Sequence, residues 1–223
     1  MPCTLPASLA DAAVCRSSFH AVLGGEAGEA VFADFSAALQ KAQAEGRILT
    51  ASLFRYENHL FFYAEGLNRP FTPQGLCPAL DAALLPWPPA LGEAAPRPWA
   101  AMQPYFYHDV PTTAADWQQG RCPQRRRGRI ALLPPDSWCS YMEHHLRIVT
   151  EGLVEGDRWH LICVQEGVLF SYLEEPRTNV NIKHRPGAHS PELDAWIAAD
   201  PESHFARFTP EQKAHPDSGH NFV

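Results

Sequence analysis

The sequence has no apolar run near the roughly 20 residues that a membrane-spanning helix requires, so no membrane partner is expected. It also lacks positive charge. Its 25 acidic residues outnumber 18 basic ones for a net charge of −7, which argues against nucleic acid or an anionic membrane as a partner. No CxxC pair occurs, and the cysteines (Cys3, Cys15, Cys77, Cys122, Cys139, Cys163) are scattered singly. The opening MPCTLPASLADAAVC has no basic start and is interrupted by Pro6 and Asp11, unlike a secretion signal. Reduced thiols in a cytoplasmic protein are therefore expected. There is no phosphate-binding glycine loop, no GxSxG and no HExxH. Eight of the 11 histidines lie from His144 onward, without metal-ligand spacing. His184, His189, His204, His215 and His220 fall in Pro/Gly/Asp-rich or terminal stretches, where surface placement is expected. No metal and no cofactor is predicted.

What is present is ordinary globular material, 45% apolar and 19% charged, with an excess of proline. Thirteen of the 21 prolines lie between Pro70 and Pro135. The strongest signal is an internal repeat. Sliding the chain by 110 positions lays residues 20–55 over residues 130–165 without a gap, with Ala21 on Ala131, Leu23 on Leu133 and Glu45-Gly46 on Glu155-Gly156. LFFYAE (60–65) then falls on LFSYLE (169–174), and PALDAALL (78–85) on PELDAWIA (191–198). Blocks matching in the same order along both halves predict a tandem duplication.

Each copy reads as strand, helix, hairpin, helix. Asp136 follows two prolines and suits an N-cap. Tyr141, His145, Ile148 and Val149 recur on one face of the helix that follows. Gly46 and Gly156 stand where the helices must stop. Glu57-Asn58 and Glu166-Gly167 are polar tips between β-rich runs. Ser190-Pro191 pairs an N-cap with proline at the first helical position. Residues 101–110 supply a last strand to the first copy and complete a βαββαβ, ferredoxin-like unit. For the second copy, GHNFV at the end of the sequence is a poor substitute. The expected organisation is an N-terminal segment (1–14), a first unit (15–110), a linker (111–128) and a second unit (129–223). The arginine run QRRRGR reads as a solvated part of that linker rather than an anion site. A single such unit leaves one sheet face bare, so the two are expected to pair their sheets as an internal pseudo-dimer.

The candidate chemistry falls in the second unit. Tyr141 and His145, one helical turn apart, form a polar pair where the first copy has Val31 and Phe35. Arg158, Trp159 and His160 replace Ile48, Leu49 and Thr50, and are expected on the second strand with Arg158 and His160 on one face. Trp196 replaces Ala83 on the second helix.

These features of the second copy resemble the L-rhamnose mutarotases of the dimeric α/β-barrel group. The resemblance rests on Pro135-Asp136, Tyr141 with His145, Gly156, and Leu169-Phe170 leading to Glu174, over about 65 residues. MQPYFYHD (102–109) is similar to that family's closing strand. The resemblance implies an intrachain dimeric α/β barrel and a cofactor-free isomerase of monosaccharide anomers. It makes His145 the acid/base group, Tyr141 its neighbour and Trp196 a sugar-stacking wall, and His160 takes the place of a hairpin tyrosine. With Arg158, these are the candidate site residues. Two other readings stay open: a barrel holding a small aromatic ligand or haem through His160 or His145, and a non-catalytic barrel with a degenerate pocket.

Overall fold

Strands form where aromatic and β-branched residues run between turn residues, and helices where apolar residues recur at helical spacing. The computed structural model describes residues 6–176, 183–184, 186–206 and 220–222. Residues 1–102 with 111–122 make one compact unit, and residues 103–110 with 123–223 a second.

In unit 1, β1 (Val14–Val22) leads into α1 (Glu29–Ala44), the hairpin strands β2 (Ile48–Tyr56) and β3 (His59–Leu67), and α2 (Pro78–Ala82). The first residues of β4 (Ala100–Tyr107) and the short helix α3 (Ala114–Gln118) complete it. The spatial order is β4-β1-β3-β2. Every pairing is antiparallel, with register from Val14↔Leu67 to Val22↔His59 between β1 and β3 and from Ser18↔Met102 to His20↔Ala100 between β1 and β4. Gly46 follows α1 at φ 69°, a left-handed position that glycine takes without a Cβ clash. Leu60, Phe62 and Ala64 alternate onto the core shared with Phe35, Ala42, Leu80 and Trp99.

The intervening residues Phe61, Tyr63 and Glu65 point the other way and are buried as well. Glu65 is a fully buried carboxylate. It accepts 2.7 and 3.0 Å bonds from the Arg121 guanidinium, 2.6 Å from the Tyr63 hydroxyl and 3.0 Å from the Trp117 indole. Burial alone would raise its pKa, but the charge and hydrogen bonds of Arg121, with Tyr63 and Arg16, hold it below the usual carboxylate value. Trp117 and Arg121 fall in the stretch expected as linker. There Thr113 caps α3 by accepting from Asp116 N at 3.2 Å.

Unit 2 has its own set of helices and strands. It contains β5 (Arg125–Leu132), α4 (Pro135–Glu151), the short β6 (Val154–Glu155), β7 (Leu161–Gln165), β8 (Val168–Glu175), the short β9 (Lys183–His184) and α5 (Pro191–Ala198). A 3-10 turn (Pro201–His204) and β10 (His220–Phe222) follow. Its sheet runs β10-β5-β8-β7, and residues 103–107 of β4 pair with β7. β6 and β9 pair separately. The last strand that the sequence hardly revealed is β10, three residues in register with β5 from His220↔Ala131 to Phe222↔Arg129. Each unit thus combines α-helices with an antiparallel sheet.

Several local expectations change. α4 begins at Pro135, so Asp136 lies inside the first turn rather than capping it, where its charge meets the helix N-terminal dipole. α4 stops at Gly152, in the left-handed region at φ 67°; a suitable glycine four residues before Gly156 ends the helix first. Gly156 instead lies under the His108 ring, which a Cβ there would strike. The residues released by the early stop make a turn, closed by His160 N to Asp157 O at 3.0 Å, and β7 starts only at Leu161. Arg158, Trp159 and His160 therefore do not alternate along a strand. The expected Ser190 cap is present, its Oγ accepting from Leu193 N at 3.0 Å. Arg126 and Arg127 belong to β5, not to a solvated connector, and pair with Glu174 at 3.6 Å and Glu175 at 3.1 Å. The cysteines among the described residues are all free thiols. Among the described residues no helix is long and apolar enough to cross a membrane.

Candidate active site

Helix α4 buries Tyr141, His145 and Ile148 along one face, as their spacing requires. One turn separates the first two, and their rings meet at 4.3 Å between centroids. The His145 Nδ1 lies 3.0 Å from the Tyr141 carbonyl oxygen. A carbonyl only accepts, so Nδ1 carries the hydrogen and Nε2 the lone pair. From α5, Trp196 brings its ring to 4.7 Å from His145 and 5.3 Å from Tyr141. Three of the residues named from the sequence are therefore one cluster, drawn from two helices of unit 2.

The other two are placed differently. His160, just ahead of β7, is buried, and its ring lies 6.0 Å from Phe106 and 6.4 Å from His108. Phe106 in turn packs on His145 at 4.8 Å, so His160 approaches the cluster through that phenylalanine. Arg158 sits in the turn and pairs with Asp109 at 3.0 Å.

Four further residues complete the cluster. β4 contributes Tyr105, 5.6 Å from His145 and 6.0 Å from Tyr141, together with Phe106. The 3-10 turn contributes His204, 5.9 Å from Tyr141 and 5.4 Å from Trp196, and Phe205 follows it at 5.3 Å from Tyr141. The surface placement expected of His204 is thus corrected: it is 8% exposed, because the turn after α5 folds it onto Trp196. His189, by contrast, has an exposed side chain beside Asp194. His144, on α4, lies 5.5 Å from Trp196 and 6.4 Å from His204. The Nδ1 atoms of His144 and His204 are buried and have no hydrogen-bond partner among the described residues. Among the described residues no group of three or more His, Cys, Asp or Glu side chains could hold a metal ion.

The electrostatics follow from burial. His145 is 4% exposed, and desolvation is the main cause that lowers its pKa from 6.5 to about 4. Its hydrogen bond to the Tyr141 carbonyl opposes this, while His144, His204 and Arg129 add positive charge that reinforces it. At neutral pH the ring is an uncharged base. Burial, and then the Tyr141 phenol beside it, hold Tyr105 well above its ordinary value, so it remains a protonated phenol.

The lowered value has a consequence for stability. The unfolded chain takes up a proton near pH 6.5 that the folded chain refuses until about pH 4. The contribution of His145 is complete above the upper limit and lost progressively as the pH falls through that window. The loss amounts to about 3 kcal/mol at 1.36 kcal/mol per pH unit. Urea unfolding at pH 7 and pH 4 should show wild type losing more stability between the two than a His145→Gln variant, whose amide does not titrate.

No family model matches this chain, and no curated protein matches it.

Proposed function

We propose that unit 2 is a mutarotase-like isomerase that interconverts the anomers of a monosaccharide by acid–base chemistry, without a cofactor. The observation that carries this reading is internal to the chain. Tyr141, His145 and Trp196 meet ring to ring in unit 2, whereas the matching positions of the repeat in unit 1 hold the apolar Val31, Phe35 and Ala83. The shared scaffold works with apolar residues there, so the polar set answers to something besides folding. Two buried imidazole nitrogens, on His144 and His204, that have no partner among the described residues add to this. Such atoms cost about 1–3 kcal/mol each, a cost that a hydroxyl-rich ligand would remove.

Anomer exchange breaks the bond between the anomeric carbon and the ring oxygen. A base removes the anomeric hydroxyl proton as the carbonyl forms, and the electron pair of the breaking bond goes to the ring oxygen, which takes up a proton. Rotation and the reverse steps give the other anomer. His145, neutral and held by the Tyr141 carbonyl, presents Nε2 as the base. Tyr141 orients the sugar by hydrogen bonding, and Trp196 supplies a flat face for its C–H groups.

We also read each unit as a ferredoxin-like βαββαβ module and the chain as a tandem duplication. In support, the strands of both units stand in the spatial order last, first, third, second.

Tight packing favours a second reading, in which the cluster is purely structural, since Tyr141, His145 and Trp196 are 3%, 4% and 8% exposed. Saturation-transfer NMR on the wild-type protein with a panel of aldoses separates the two. Exchange faster than the spontaneous rate for at least one sugar is expected, and no acceleration with any sugar leaves the structural reading.

A further inference from the structure

We propose that His204 is the second proton-transfer group of this site, serving the ring oxygen of the sugar while His145 serves the anomeric hydroxyl. The inference rests on the mutarotase-like reading above.

The two imidazoles stand against the same pair of rings. His145 touches Tyr141 at 4.3 Å and Trp196 at 4.7 Å; His204 touches them at 5.9 and 5.4 Å. They reach that pair from separate elements, one from the middle of α4 and one from the 3-10 turn after α5. His204 is buried, and among the described residues its ring has one hydrogen bond, a long one of 3.4 Å between Nε2 and the Ser140 hydroxyl, with no partner at Nδ1. A ring held at one nitrogen and unpartnered at the other is suited to passing a proton to a ligand.

The reaction supplies the need. Ring opening requires one proton to leave and another to arrive at a second oxygen in the same step, and an imidazole exchanges protons at neutral pH more readily than a phenol. The proton count closes if the two imidazoles carry one transferable proton between them. In this cycle His204 enters as the proton donor and His145 as the neutral base. As the anomeric proton moves to His145 Nε2 and the carbon–oxygen bond breaks, His204 Nδ1 gives its proton to the ring oxygen. His145 is then charged and His204 neutral. Ring closure runs the same transfers backward, and both residues return to their starting states. No oxidant, metal or cofactor takes part.

His204→Gln keeps a polar side chain of similar reach that cannot transfer a proton. With a sugar that wild type turns over, its kcat should fall on the order of a hundredfold while KM moves only severalfold. Added imidazole should return part of the rate to His204→Ala. A folded His204→Gln protein that keeps kcat within threefold of wild type overturns the proposal and leaves the mutarotase-like reading standing. Absence of wild-type activity with every sugar removes both. The proton inventory of the wild-type rate in mixed H2O and D2O needs no variant: a quadratic dependence on deuterium fraction is expected, and a linear one, from a single proton in flight, overturns the role given to His204.

Discussion

Replacing Arg121 by alanine should destabilise unit 1 by about 3–5 kcal/mol, the usual cost of removing one partner from a buried ion pair. The size follows from what would be left behind. The Glu65 carboxylate is fully buried and Arg121 nearly so, with paired bonds of 2.7 and 3.0 Å between them. Without the guanidinium, the Tyr63 hydroxyl and the Trp117 indole still donate to Glu65, and of the charges that hold its pKa down only the weaker Arg16 remains. Desolvation, already the largest influence on this group, then dominates and drives the carboxyl towards its protonated form. The sign of the pH dependence therefore reverses. In wild type the lowered pKa of Glu65 stabilises the fold above the ordinary carboxylate range, and this contribution is lost as the pH falls through the folded value. In the variant, acid neutralises the stranded charge, so the deficit should shrink as the pH falls from 7 towards 5. Urea titrations of the full chain at both pH values measure this. A double replacement, Glu65→Leu with Arg121→Met, should recover much of the loss, because an apolar pair of similar volume leaves no buried charge. An Arg121→Ala protein as stable as wild type at pH 7 would mean that the pair contributes nothing.

That network shows where sequence reasoning stops. The LFFYAE and LFSYLE blocks were visible as a repeat, and each places a tyrosine two residues before a buried glutamate that accepts its hydroxyl at 2.6 Å. The alternation that sets this pair on one face is local. Trp117 and Arg121 are 52 and 56 residues from Glu65, in a stretch whose threonines, glycine and arginines read as a connector. Nothing local marks Arg121 as buried. The hairpins and first helices were legible for the same reason the repeat was, since their apolar periodicity and turn residues are encoded over a few positions. β10 was not, because three residues carry too little pattern and its place depends on the edge offered by β5. The exchange of Gly156 for Gly152 as the end of α4 is a contest between two glycines that spacing alone does not decide.

The candidate site divides in the same way. Tyr141 and His145 are one turn apart, so their meeting is a property of any helix there, and Trp196 stood out because the repeat holds alanine at its match. Tyr105 and Phe106 lay within a stretch expected to be a strand, but its pairing with β7 is a long-range choice. His204 carries no local signal. It reaches the cluster because the turn after α5 doubles back, and only the packed structure shows it.

His145→Ala should lower the rate of anomer exchange on the order of a thousandfold, within the range by which a positioned acid–base group accelerates proton transfer. On the proposed reading the effect should fall on kcat, because Tyr141 and Trp196 would keep their own contact at 5.3 Å and remain to hold the sugar. Tyr141→Phe is the informative contrast. It keeps the ring and the backbone carbonyl that fixes the His145 tautomer, and removes only the hydroxyl, so its effect should be much smaller than that of His145→Ala. On that reading the acid limb of the wild-type pH profile should report the same group. A base whose pKa has fallen from 6.5 to about 4 stays unprotonated well below neutrality, so the rate should hold down to about pH 5 and fall only beneath it, while the protein remains folded. An ordinary exposed histidine would lose activity near 6.5. A rate that falls by half near that value would assign the limb to some other group. Unchanged exchange in a folded His145→Ala protein would remove His145 from the chemistry and leave its imidazole as packing beside Phe106 and Trp196.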